Sequence, residues 1–268
     1  MLALLYPLLI QNLRGILRDR MLHAVLASGL GILLLVPSMS TFSMRQVQEL
    51  SITLSLSAIS IVLLLVTLLL GSSSVWRDIE KRYTNSVLTL PMPRSMYLVG
   101  KFLSFCLFLC FCGLILGLCA VVVIMAASAQ YPSGHSVPWG NILLSVVALT
   151  LKYILLGSFT LLLSTLSTSF FLPFFGGLAI YFAGSASQEV YEYISGSLGE
   201  NLSPTVINTI KGAYYLLPNF SAFDYQVQAV YGLTISMSRV VLMGGYFLIY
   251  SGLLLGLAIW SFNRRQLP

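Results

Sequence analysis

Residues 76–102 read WRDIEKRYTNSVLTLPMPRSMYLVGKF, the longest polar and charged interruption in an otherwise apolar chain. Five of the fourteen basic residues lie in it: Arg77, Lys81, Arg82, Arg94 and Lys101. Long apolar segments enter and leave it on both sides. A short charged hairpin between two membrane spans is a natural handle for a soluble partner, and the apolar remainder reads as the part on which that partner acts.

Composition sets the class. The 268 residues are 57% hydrophobic and 8% charged, with a mean hydropathy of +0.91. Soluble domains are about 25% charged and about 45–50% apolar, so the chain reads as a polytopic membrane protein. The net charge of +6 is scattered over short loops. That pattern suits anionic headgroups and topology rather than nucleic acid. Cys106, Cys110, Cys112 and Cys119 share one apolar run. They read as polarizable fillers in a lipid-embedded helix. No signal-peptide cleavage pattern follows the first long apolar run.

Working outward, residues 1–20 predict an amphipathic helix at the membrane surface. Leu5, Leu9, Leu13, Ile16 and Leu17 form one face, with Arg14 and Arg18 largely off it. Residues 21–73 hold the first two spans, Met21 to Ser40 and Leu50 to Ser73. Residues 74–97 are the charged segment. Residues 98–186 hold spans three to five: Tyr97 to Ser128 (its first turn overlapping the charged segment), Asn141 to Ser164 and Phe170 to Ser185. Residues 187–238 are rich in tyrosine, and residues 239–268 hold the last span, Val240 to Phe262, and a tail. Within 187–238, Ser203-Pro204 reads as a helix start and Asn219 as a second cap. Two short amphipathic helices are expected there, in the interface that tyrosine favours. The fold class is therefore an all-α membrane protein with six transmembrane helices in a single transmembrane domain, 1–268.

Two features stay open at this level. Lys152 lies mid-segment, where a charge is costly and marks function by default, unless it snorkels outward. Gly176, Gly177, Ala179 and Ala183 make a stripe of small residues on the fifth span. Such a stripe serves either packing within the chain or a surface for dimerisation or translocation.

Six spans put both termini on one side. With them stand Arg14, Arg18, Arg20, the five basic residues of the hairpin, Arg264 and Arg265, against Arg45, Lys211 and Arg239 on the other. That bias of ten to three puts the termini and hairpin in the cytoplasm.

No catalytic constellation is present. His23 and His135 lie far apart in sequence, with no H-E-x-x-H, and no G-x-S-x-G occurs. Gly100-Lys101 lacks the earlier glycine and the following Ser or Thr of a phosphate loop. The apolar runs carry no carboxylate of the kind an ion-coupled carrier keeps. Energy for any uphill movement would have to arrive from outside the chain.

The order Glu80-x-x-x-Thr84, Leu90-Pro91-x-Pro93-Arg94, Tyr97-Leu98-Val99-Gly100-Lys101 resembles the signature of ABC-2 type transporter permeases. Arg18-Asp19-Arg20, Leu216-Leu217-Pro218-Asn219-Phe220 and Phe262-Asn263-Arg264-Arg265 agree, so the likeness covers nearly the whole chain. Tyr83 stands where the family usually has Gly, and Pro93 where it often has Ser. The resemblance implies an exporter half in the bacterial inner membrane, paired with a second copy (a homodimer). A separate ATP-binding cassette subunit would hold ATP and Mg, and this chain would hold no cofactor and no metal. Residues 74–97 would be the coupling segment. Arg77, Asp78, Glu80, Lys81, Arg82 and Thr84 would meet the ATPase, while Arg14, Arg18, Arg94 and Lys101 would sit at the lipid headgroups.

Overall fold

The computed structural model describes residues 2–43, 46–80, 93–130, 136–196 and 203–264. Among them are nine α-helices and a 3-10 turn, and no strand. Long helices are α1 (Leu2–Leu17), α2 (Arg20–Ser40), α3 (Val47–Glu80), α4 (Arg94–Gln130), α5 (Trp139–Leu166), α6 (Phe171–Ser195) and α9 (Met237–Arg264). Between the last two lie α7 (Pro204–Leu216), the 3-10 turn Phe220–Phe223 and α8 (Gln226–Tyr231).

Five of these, α2, α3, α4, α5 and α9, are long and apolar enough to cross a membrane. The expected fifth span, α6, is not among them. It has the length, 25 residues, but glycines and the polar run from Gln188 onward dilute its apolarity. It also extends ten residues past the expected end at Ser185. Likewise α3 continues beyond Ser73 to Glu80. Charge at Arg77 and Asp78 marks the edge of the apolar run, but no Gly or Pro stops the helix there. At ~1.5 Å per residue its 34 residues reach about 51 Å, well beyond a hydrocarbon core of about 30 Å.

The helices are organised around α3 and α5, which pack on each other and on most of the rest. Ile52, Leu56, Ile59 and Leu63 of α3 and Tyr153, Ile154, Leu155 and Leu156 of α5 are buried. On the periphery, α2 and α9 turn apolar faces outward: Leu34 is 75% exposed and Leu248 68%. Outward leucines in such numbers belong against lipid or another protein, not water.

Contacts define two ends. At one, Leu8, Val75, Tyr97, Leu98, Leu161, Ala258 and Phe262 form a buried cluster joining α1, α3, α4, α5 and α9. Most of the described basic residues stand near it. At the other end Asn219 gathers two helices, α6 and α9, and the 3-10 turn. Its N–H donates to Tyr246 Oη (2.9 Å), its Nδ2 donates to Gln188 Oε1 (2.8 Å), and its Oδ1 accepts from Ser221 N (3.1 Å). The caps read at Ser203-Pro204 and Asn219 coincide with the starts of α7 and the 3-10 turn. Helix α6 begins beside the charged end, where Phe170 meets Trp76 at 5.9 Å. It reaches the Asn219 end, where Ser185 O accepts from Ser221 Oγ (3.0 Å).

Candidate functional site

The charged end is a brace built on the last turns of α3. At Ser164 of α5 a hydroxyl lies across one helical step of α3. It accepts from Trp76 N (3.3 Å) and donates to Ser72 O (3.3 Å). A side chain inserted between positions i and i+4 marks a place where a helix bends.

Beyond that step come two ion pairs. Arg77 Nη1 meets Asp19 Oδ2 at 2.7 Å, with side chains 40% and 14% exposed. Asp19 also caps α2, accepting from Met21 N at 3.0 Å. One carboxylate thus ties α3 to the start of α2. On the other side Lys101 Nζ meets Asp78 Oδ2 at 2.5 Å. Lys101 also donates to the Ser74 carbonyl, and Tyr97 Oη donates to Asp78 Oδ2 (2.5 Å). Tyr97 and Lys101 are one helical turn apart on α4, so both reach the same oxygen. The Tyr97 ring stacks on Phe262 of α9, 5.8 Å between centroids. Helix α1 is seated on α4: Leu8 is buried in the cluster, and Ser104 Oγ donates to Leu9 O (3.5 Å). Leu13 and Ile16 pack inward as expected, whereas Leu17 is half exposed.

Burial works to raise the Asp19 carboxyl. The hydrogen bond from Arg77, the Met21 N–H and the charges of Arg77 and His23 outweigh it, so Asp19 titrates below the ordinary aspartate value. A depressed carboxyl contributes stability above its unfolded pKa, about 3.9, and loses it as pH falls through the folded value. Asp19→Asn, which keeps a cap, is expected to flatten the loss of thermal stability between about pH 5 and 3. Melting curves of the two proteins across that range check this; parallel curves would refute it.

The structure places the expected residues unevenly. Arg77 and Asp78, expected on a partner, have their charges engaged within the chain. Glu80 ends α3, and Lys81, Arg82 and Thr84 lie outside the described residues. Arg14 on α1 and Arg18 just past its end are exposed, and Arg94 is half-buried at the start of α4. Lys101, expected among headgroups, is 9% exposed. Its ammonium turns inward because Asp78, the Ser74 carbonyl and the Tyr97 ring (5.3 Å) surround it. Sequence reasoning missed Asp19 and Tyr97 as structural partners. The i, i+4 spacing of Tyr97 and Lys101 was the available signal, but nothing in sequence names Asp78 as their target.

The small-residue stripe divides. Gly177 is buried against Thr160 and Leu68, and Gly176 lies against Leu163. Ala179 and Ala183 face outward beside Phe175 and Phe182. Lys152 is buried, 7% exposed, with its ammonium 5.2 Å from the Tyr181 ring centroid and 5.9 Å from that of Tyr153. Cation–π contacts return about 0.5–2 kcal/mol, less than the ~2.5–3.5 kcal/mol cost of a lysine at mid-membrane. The four cysteines are free thiols along α4.

These features define a class: a multi-pass helical membrane protein whose long central helix is clamped at one charged end. Nearly the whole chain, residues 6–267, matches the sequence model of the ABC-2 family transporter proteins, and the chain belongs to that family. Its members are membrane transport subunits, and membership implies an ATP-binding cassette ATPase as partner. Comparison with curated proteins finds no match.

Proposed function

We propose that this chain is the permease subunit of an ATP-driven exporter in the bacterial inner membrane. Two copies form the pathway, and ATP and Mg bind on the cassette subunits. The observation that carries this reading is α3. It runs unbroken from Thr53, whose carbonyl accepts from Gln226 (3.4 Å) at the far end, to Glu80. Near its last turns it is fastened to α2, α4 and α5. A force applied at Glu80 is thereby delivered to three other helices at once, while the step bridged by Ser164 is the place to bend.

In this reading α6 also spans, as the fifth of six, since it runs from the Trp76 end to the Asn219 end. The charged end, both termini and residues 74–97 face the cytoplasm, in keeping with the distribution of basic residues. Glu80, Lys81, Arg82 and Thr84 touch the ATPase, and Arg77 and Asp78 transmit the movement through their ion pairs. Arg14, Arg18 and Arg94 stand at the cytoplasmic headgroups. Ala179 and Ala183 belong to the surface met by the second copy or by substrate.

Reconstitution with the cassette tests the assignment. Glu80→Ala and Arg82→Ala are expected to lower transport by between about 5- and 150-fold, the usual range of a coupling free energy. Basal ATP hydrolysis of the cassette should persist. If both variants bind the cassette and transport normally, the contact lies elsewhere. If the wild-type complex hydrolyses ATP and moves nothing across the bilayer, the chain is a scaffold that anchors the ATPase.

A further inference from the structure

A cavity of about 940 Å³ lies between α1 and the clamped ends of α3 and α4. Its walls carry four cations, Arg14, Arg18, Arg77 and Lys101, and two carboxylates, Asp19 and Asp78. Both carboxylates are already neutralised, by Arg77 and Lys101 respectively. Arg14 and Arg18 have no carboxylate partner among the described residues, which leaves the lining with an uncompensated charge of about +2. Arg77 uses one of its five N–H donors on Asp19. Asn12, also in the lining, has a buried Nδ2 with no acceptor among the described residues. The remaining wall mixes the polar Gln11, Ser73 and Ser74 with the apolar Ile10, Leu70 and Phe105.

We propose that this cavity binds an anionic amphiphile: a phosphate at Arg14, Arg18 and Asn12, with its hydrocarbon along Leu70 and Phe105. Guanidinium forks match phosphate oxygens, and Arg14, Arg18 and Asn12 all line this one cavity. The volume decides against a bare ion. Small-molecule sites occupy roughly 300–1,000 Å³, and this cavity is near the top of that range, with Ile10, Leu70 and Phe105 offering apolar surface beside the charges. The ligand is therefore a phospholipid of the adjoining leaflet. Seated there, it touches α1 and the Arg77 side of the brace together, so its occupancy stiffens the base of α3. This deepens the headgroup role of Arg14 and Arg18 given above and rests on it.

The test is thermal stability of the purified full-length protein in neutral detergent. Three additions are compared: phosphatidylglycerol, phosphatidylcholine and inorganic phosphate. Phosphatidylglycerol is expected to raise the melting temperature by about 5 °C at roughly a hundredfold excess over its Kd, and the other two to leave it unchanged. The gain should vanish in the double variant Arg14→Gln, Arg18→Gln. It should survive in Arg20→Gln, whose side chain is exposed at the same end but outside the cavity. A full gain from inorganic phosphate would make this an ion site and overturn the amphiphile. Equal loss in Arg20→Gln would leave headgroup anchoring intact and overturn the cavity site. If no anionic lipid stabilises the protein, both readings fall.

Discussion

Lys101→Met is expected to destabilise the protein by about 3 kcal/mol, the largest loss from any single change at the charged end. The lysine is buried, and its partner Asp78 is only 21% exposed. Methionine fills the space but takes the ammonium away from the carboxylate, and removing one member of a buried pair strands the other charge. The pair itself adds little over an apolar substitute, because desolvation offsets most of its attraction. The double variant Lys101→Met, Asp78→Asn should therefore recover more than half of the loss. Thermal unfolding of four proteins in detergent, the wild type, Lys101→Met, Asp78→Asn and the double variant, measures this as a double-mutant cycle. Additive losses would mean that Asp78 and Lys101 are not coupled, and the account of the brace would fail. The pair Arg77–Asp19, whose arginine is 40% exposed, belongs to a weaker class, about 0.2–1 kcal/mol, so ranking the two pairs is part of the same experiment.

Gly184→Ala is expected to cost about 2 kcal/mol, as overpacking does in a filled interior. A methyl at Gly184 would stand 2.5 Å from the Pro218 carbonyl oxygen and 2.7 Å from the Phe220 ring. A side chain can rotate aside; a backbone carbonyl held by the next residue cannot. Asn219 is that residue, and its bonds to Tyr246 and Gln188 fix the loop in place. The strain should therefore loosen the contact between α6 and the 3-10 turn, read as faster proteolysis between residues 204 and 231 together with a lower melting temperature. Ala183→Leu, one position earlier and facing outward, is the control. It should leave the fold of a protomer unchanged while altering cross-linking between copies if the second permease docks there. Unchanged melting in Gly184→Ala would show that the loop does not approach α6 this closely.

Between sequence and structure the division has a physical basis. Partition into lipid is additive along the chain, so apolar runs of about 20 residues located α2, α4, α5, α9 and the start of α3 to within a few residues. Caps act over three or four residues, so Ser203-Pro204 and Asn219 also marked their helices. Motif order, which is also one-dimensional, identified the family. Helix ends past the apolar runs were misread, because charge ends burial in lipid and not the hydrogen-bond ladder; α3 and α6 both continue beyond the expected ends. What only the tertiary structure decided was partnership. Asp19 and Arg77 are 58 positions apart in sequence, and Ser72 and Ser164 are 92. A pairing free energy depends on distance in space, which a string of residues does not contain. For that reason Lys101 looked like a headgroup contact and proved to be half of a buried brace. Gly177 and Ala183, alike as small residues, were separated only when the neighbours of α6 fell on one side of it.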